Sequence, residues 1–144
     1  MKHLPFLVLF IAVSFSAVGQ SKDAILGKWV NSSREAHIEI TKKNDKFFGK
    51  IVWLKEPKDA KGVIKTDLNN PNENLRSKQI LGLEILKDFV FSDDKWSDGK
   101  IYDPKSGKTY SCTMTIKSNG DLNMRGYVGI SLIGRSEIWK RVKQ

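Results

Sequence analysis

Four carboxylates and two phenols are the side chains in this sequence best suited to moving protons. Asp67, Glu84, Asp98 and Asp103 supply the carboxylates, and Tyr102 and Tyr127 the proton donors. Acid–base catalysis needs an acid and a base brought to one point, which spacing alone does not reveal. Their local contexts favour a simpler role. Asp98-Gly99, Asp103-Pro104 and Asp67 with Asn69-Asn70 are turn combinations, in which a short carboxylate accepts from the backbone just ahead of it. Metal chemistry is poorly provided for. The histidines are His3, near the start, and His37, on the polar row of a strand, and the single cysteine, Cys112, falls in an apolar row. One cysteine forms no internal disulfide, and this one reads as a buried thiol behaving as a small hydrophobe. No G-x-G-x-x-G, P-loop, H-E-x-x-H or G-x-S-x-G is present. The sequence therefore assigns no catalytic residue, no metal ligand and no cofactor.

Binding chemistry is better supplied. Phe47, Trp53, Phe89, Tyr102, Tyr110 and Met114 are candidate walls for a site that holds a small hydrophobic or amphipathic ligand. For any single one of these side chains a place in a filled core is the stronger expectation, because a chain of this size needs core aromatics in any case. The formal charge of +9 becomes +8 once Lys2 leaves with the leader described below, and this basicity suggests an anionic partner. Nucleic acid is not the expected one, because the lysines are scattered without an arginine or aromatic block. A solvated basic surface accounts for them, and lysines at the mouth of a site would select a ligand with an anionic head such as a fatty acid.

The elements that must position these residues are strands. Residues 1–19 are set apart first: Lys2 and His3 precede the apolar run Leu4 to Phe15, and Ala17-Val18-Gly19 offers small residues for a signal peptidase. The apolar run is shorter than the roughly 18 to 20 residues that span a bilayer. The reading is a cleaved signal peptide over 1–19 and one domain over 20–144, periplasmic or secreted, with no lipidation cysteine and no membrane segment after cleavage. Nothing in the sequence fixes an oligomeric state.

In the remainder, strands begin at Gly27-Lys28-Trp29-Val30 and at Ala36, Ile38 and Ile40, which alternate with His37, Glu39 and Thr41. Phe47 to Leu54 follows. Lys55 to Ser77 then breaks the rhythm as one long connection, within which Asn70 caps a short helix with Pro71 at its first position and Glu73 closing the box. Leu83, Ile85, Lys87, Phe89 and Phe91 form one row of the next strand. Trp96 to Ile116 holds a hairpin about Asp103-Pro104-Lys105-Ser106-Gly107, after which Tyr110, Cys112, Met114 and Ile116 alternate with polar partners. An Asn119-Gly120 turn leads to Leu122, Met124, Gly126 and Val128; Gly129 to Gly134 is a loop, and Arg135 to Val142 is the last strand. Consecutive strands on short turns predict an all-β fold, an antiparallel up-and-down barrel of about eight strands with one long loop or short helix. Closure removes the strand edges, and an open sandwich is the alternative.

Gly27-Lys28-Trp29 on the first strand and Arg141 on the last together resemble the lipocalin and calycin families. In those barrels a Gly-x-Trp near the start lies at the closed end, under an arginine from the final strand. Over nearly the whole mature chain the sequence is also similar to a bacterial family of small exported proteins, domain-of-unknown-function family 2147. The similarity is carried by Gly49 to Leu54, Asp67 with Asn70-Pro71, Gly82-Leu83 with Ile85-Leu86, and Trp96 with Gly99 to Pro104 and Gly107 to Tyr110. Arg125 to Gly129, Leu132 to Arg135, Trp139 and Arg141 complete it. The resemblance implies a lipocalin-like barrel in which Gly27, Trp29 and Arg141 close one end, and it brings no agreed activity. Three functions follow as expectations: a binding protein for a small hydrophobic or anionic amphipathic ligand, an interaction module using the basic surface or the Gly129 to Ile133 loop, and, least supported, a hydrolytic enzyme.

Overall fold

The computed structural model describes residues 12–14, 19–128 and 134–144, so most of the leader and the expected 129–133 loop lie outside the described residues. Eight antiparallel strands form a closed barrel in which each pairs with its neighbours in sequence. They are β1 (Gly27–Val30), β2 (Ala36–Lys43), β3 (Lys46–Leu54), β4 (Glu84–Ser92), β5 (Lys95–Asp103), β6 (Lys108–Ile116), β7 (Leu122–Tyr127) and β8 (Gly134–Arg141). The ring closes where Trp29 pairs with Arg141 and Val30 with Lys140. The sandwich alternative is set aside by that contact.

Up-and-down order puts alternate turns at opposite ends. At the lower end β2–β3 turns on Asn44-Asp45 and β4–β5 on Asp93-Asp94, all four with positive φ, as the tight hairpins that follow strand twist require. A single turn of 3-10 helix, Lys22–Ile25, seals this end. At the upper end Asn31 organises the β1–β2 turn, its side-chain oxygen accepting from the N–H groups of Glu35 and Ala36. Asp103 does the same for β5–β6, accepting from the Lys105 N–H and the Ser106 hydroxyl, with Gly107 at φ 71°.

Regular alternation fails in β4 and β5, and the cause is a pair of aspartates. Asp88 and Asp98, with φ of 63° and 61°, lie in the stretch between the Lys87–Lys100 and Val90–Ser97 pairs of the two strands. They fall where the inward row changes phase, from Leu86 to Phe89 in β4 and from Trp96 to Gly99 in β5, while a separate slip against β3 leaves Ile85 buried beside Leu86. Lys87 consequently leaves the buried row in which the sequence pattern had placed it, while Phe91, paired with Trp96 with ring centroids 4.8 Å apart, stays half-buried against the core. The expectation that Asp98-Gly99 makes a turn is corrected in the same way: it is an irregularity inside β5, where Gly99 provides space for the Phe89 ring, against which any Cβ would press.

The long connection between β3 and β4 has its own structure. Its short helix is Glu73–Leu75, capped by Asn72, which accepts from the Asn74 N–H, rather than by Asn70. Asn70 instead accepts from the Asn72 N–H one step earlier. Two isolated bridges, Lys58 with Ile64 and Thr66 with Gln79, fold the segment back on itself over the upper end.

Candidate functional site

The lower half of the barrel is solid. Trp29, Phe47, Phe89, Trp96, Met114 and Leu122 are all buried there, with Ile25 of the 3-10 turn beneath them. The Arg141 guanidinium lies 4.0 Å from the Trp29 ring centroid and donates at 2.7 Å to the carbonyls of both Ala24 and Leu26. Trp29 Nε1 donates to the Ile25 carbonyl and Trp96 Nε1 to that of Lys22. The two indoles from within the barrel and the exposed guanidinium from its rim thus satisfy carbonyls of the 3-10 turn and of Leu26 just after it. A stacked cation of this kind contributes roughly 0.5 to 2 kcal/mol.

The upper half is hollow. A cavity of about 1310 Å³ occupies it, walled by Ile38, Ile51, Ile85, Ile101, Met124 and Trp139 among others, and reaching the surface between the upper turns. Small barrels are wide enough to hold one small ligand, and apolar walls with a few polar groups are the usual lining of such sites.

Of the residues expected to line a site, Tyr102 and Tyr110 do line this cavity. Phe47, Phe89 and Met114 are corrected to the packed lower half, since each belongs to the strand half nearest the sealed end and is within 1% of full burial. Trp53 is corrected to the outer surface. The register slips between His37 and Ile38, where one β3 residue has no opposite number, and Trp53 stacks outside on the His37 ring with centroids 4.3 Å apart. The residues that the aromatic criterion missed are isoleucines, a methionine and two charged residues of β8, Arg135 and Glu137. Period two in β2 and β7 marks Ile38 and Met124 as inward, but nothing local separates an inward residue that packs from one that faces a void.

The mouth is not a basic patch. Lys55, Lys65, Lys105 and Arg135 stand on it beside Glu35, Glu56, Asp59, Asp103 and Glu137. Lys105 Nζ donates to Glu35 at 2.7 Å, tying the β5–β6 turn to the β1–β2 turn. That bond, with a second from the Ser33 hydroxyl, holds the Glu35 carboxyl below its ordinary range, and it pushes the Lys105 ammonium up. Lys65 pairs more loosely with Glu56 at 3.9 Å. The expected row of lysines free to select an anionic head is therefore largely neutralised by neighbours.

Asp67 is the one charged side chain that is fully buried among the described residues. Its carboxylate accepts from the Tyr102 hydroxyl at 2.7 Å and from Asn70 Nδ2 at 2.8 Å. Both oxygens are engaged away from solvent, so the pair fastens the long loop to β5 rather than presenting a base to a substrate. Desolvation first, and then this bond, push the Tyr102 phenol up to about 12. Asn69 completes the attachment by donating to the carbonyls of Pro104 and Lys105. Tyr102 and Ile85 also border a second hollow of about 820 Å³ beneath the loop. Cys112 faces the main cavity from β6, and burial pushes its thiol up to about 12. Asp103 and Tyr127 border the main cavity, Glu84 borders the second hollow and Asp98 lines neither, and no group of three or more metal-ligating side chains occurs among the described residues.

A family model described as an uncharacterized protein conserved in bacteria, DUF2147, matches residues 27–141. The chain belongs to that bacterial family. The match starts at Gly27 and stops at Arg141, the first and last residues of the barrel strands. Among solved structures the DUF2147 chain is similar to HP1028 from the human pathogen Helicobacter pylori, a protein described as belonging to the lipocalin family. The TM-score is 0.71 at 27% identity, covering 82% of each chain. No curated protein matches in sequence. The fold is thus lipocalin-like, which fits the binding of small ligands in general, and no helix among the described residues is long and apolar enough to cross a membrane.

Proposed function

We propose that this protein is an exported carrier that holds one small, partly apolar ligand in the upper half of its barrel. The observation that carries the reading is the asymmetry of the interior. Four large aromatic side chains fill the lower half completely, while the upper half keeps a cavity of about 1310 Å³ with largely aliphatic walls. A barrel that served only as a scaffold gains by filling this space, because voids forfeit packing contacts. The leader over 1–19 supports a periplasmic or extracellular site of action, where the ligand would be a small hydrophobic or amphipathic molecule of the envelope or its surroundings.

Native mass spectrometry of the protein purified from its own host's envelope, followed by solvent extraction, tests the proposal. A stoichiometric lipid-like adduct is expected. A clean apo mass, together with no binding of apolar fluorophores, overturns the carrier reading. N-terminal sequencing of the same material checks export, with Gln20 expected as the first residue.

A further inference from the structure

The walls of the cavity differ in chemistry. From β2, β3 and β4 come Ala36, Ile38, Ile51, Leu54 and Ile85, whose side chains carry no polar atom. From β6, β7 and β8 come Tyr110, Cys112, Gly126, Arg135 and Glu137. Strand register sets these last residues side by side: Cys112 is opposite Gly126, Gly126 opposite Arg135, and Met124 opposite Glu137. Directly paired residues share a face of the sheet. Met124 and Trp139 are buried in the interior, so Glu137 and Arg135, which lie two and four residues before Trp139 on β8, point inward as well. Gly126 leaves a recess between Tyr110 and Arg135, for a Cβ there would meet nothing nearer than the Tyr110 Cβ at 3.7 Å.

The two charges on this wall are available to a ligand. Glu137 accepts one bond, from Trp139 Nε1 at 3.3 Å through Oε2, which leaves Oε1 open. Neither Glu137 nor Arg135 belongs to an ion pair among the described residues, and they do not pair with each other. Residues two apart on a strand are separated by roughly 6.5 Å, a spacing that one compact head group can bridge. Both residues are exposed on the cavity side of β8, so a head group can reach them from the mouth, and charge-assisted hydrogen bonds to an ionised partner are stronger than neutral ones.

We infer that this wall recognises a zwitterionic head, with a cationic N–H donor on Glu137 and an anionic group on Arg135 beside the Tyr110 hydroxyl, while the ligand's hydrocarbon lies against β2, β3 and β4. The inference rests on the carrier reading and narrows it, replacing the simple anionic amphipath with a molecule that carries both charges.

The test uses three probes of equal alkyl chain length below their micelle-forming concentrations: a fatty acid, the matching primary alkylamine and the matching N-alkyl glycine. Each competes with an apolar fluorophore for the mature protein. The N-alkyl glycine is expected to bind about tenfold more tightly than either singly charged probe. Glu137→Gln, which keeps an acceptor for Trp139, should weaken the N-alkyl glycine and the amine about tenfold and spare the fatty acid. Arg135→Gln should weaken the N-alkyl glycine and the fatty acid and spare the amine. Equal affinity for all three probes, or equal losses across them in either variant, overturns the zwitterion inference and leaves an apolar carrier. Failure of the fluorophore and every probe to bind overturns the carrier reading itself.

Discussion

The two halves of this barrel share the same strands and the same alternation, yet one is packed and the other hollow. In the lower half β3, β4 and β5 contribute Phe47, Phe89 and Trp96, and β1 contributes Trp29, and their rings meet at the axis. In the upper half the same strands contribute Ile51, Ile85 and Ile101, too short to meet across it. The lower half is sealed by backbone carbonyls bonded to Trp29, Trp96 and Arg141; the upper half is spanned by surface pairs such as Lys105–Glu35. The difference divides the labour: one half supplies stability, and the other gives up packing to keep a site.

If that division holds, substitutions in the two halves must separate stability from binding. The largest effect belongs to Trp29→Ala, which empties a fully buried site and removes the ring under Arg141. A loss of about 3–5 kcal/mol is expected in urea unfolding. Arg141→Ala should lower stability less, and the two losses should fall short of additive because both remove one stack. Independent, fully additive losses would break the structural pairing.

Next comes Tyr102→Phe, which leaves buried Asp67 with Asn70 as its remaining side-chain partner and should cost about 1–3 kcal/mol near neutral pH. The pH dependence follows from the phenol. Tyr102 rises on folding from 10.0 to about 12, so the folded state holds this proton more tightly than the unfolded chain does. Its contribution is complete below pH 10 and is lost as the pH climbs through about 12. Wild-type and Tyr102→Phe unfolding curves should therefore converge over that window, and a constant gap would remove Tyr102 ionisation from the account.

Ile85→Ala should destabilise by less than about 2 kcal/mol, because the cavity already relieves that wall of tight packing. Binding of an apolar fluorophore should change more than the melting temperature. A loss as large as that at Trp29 would mean that the upper half is a packed core after all. The smallest effect is expected at Cys112. Its thiol is 1% exposed and raised to about 12, so alkylation of the folded protein at pH 8 should be negligible and should become complete in denaturant. Rapid labelling of the native protein would show that reagent reaches the thiol through the cavity.

Much of the architecture was legible because its signals are local. Asn44-Asp45, Asp93-Asp94 and Asn119-Gly120 announce tight hairpins, and Ile38-Ile40 and Cys112-Met114 show which rows face inward. Trp29 and Arg141 announced the closure of the ring from opposite ends of the chain. The site was far less legible. Two of six expected wall residues, Tyr102 and Tyr110, reach the cavity. A search by aromatic content leads to the packed half, where aromatics belong, and passes over the isoleucines that leave room.

The sequence by itself determined the strands, their order and the turn chemistry between them, since these depend on residues within a few positions of one another. Only the tertiary structure decided which half would be empty. That outcome depends on how side chains from eight strands add up across the axis, and on two kinks, at Asp88 and Asp98, that shift the alternation of β4 and β5. It also decided that Arg135 and Glu137 face the cavity, because their direction is fixed by pairing with Gly126 and Met124 rather than by their own polarity. A charged residue on a terminal strand reads as solvent-facing until the closed ring turns it toward the cavity.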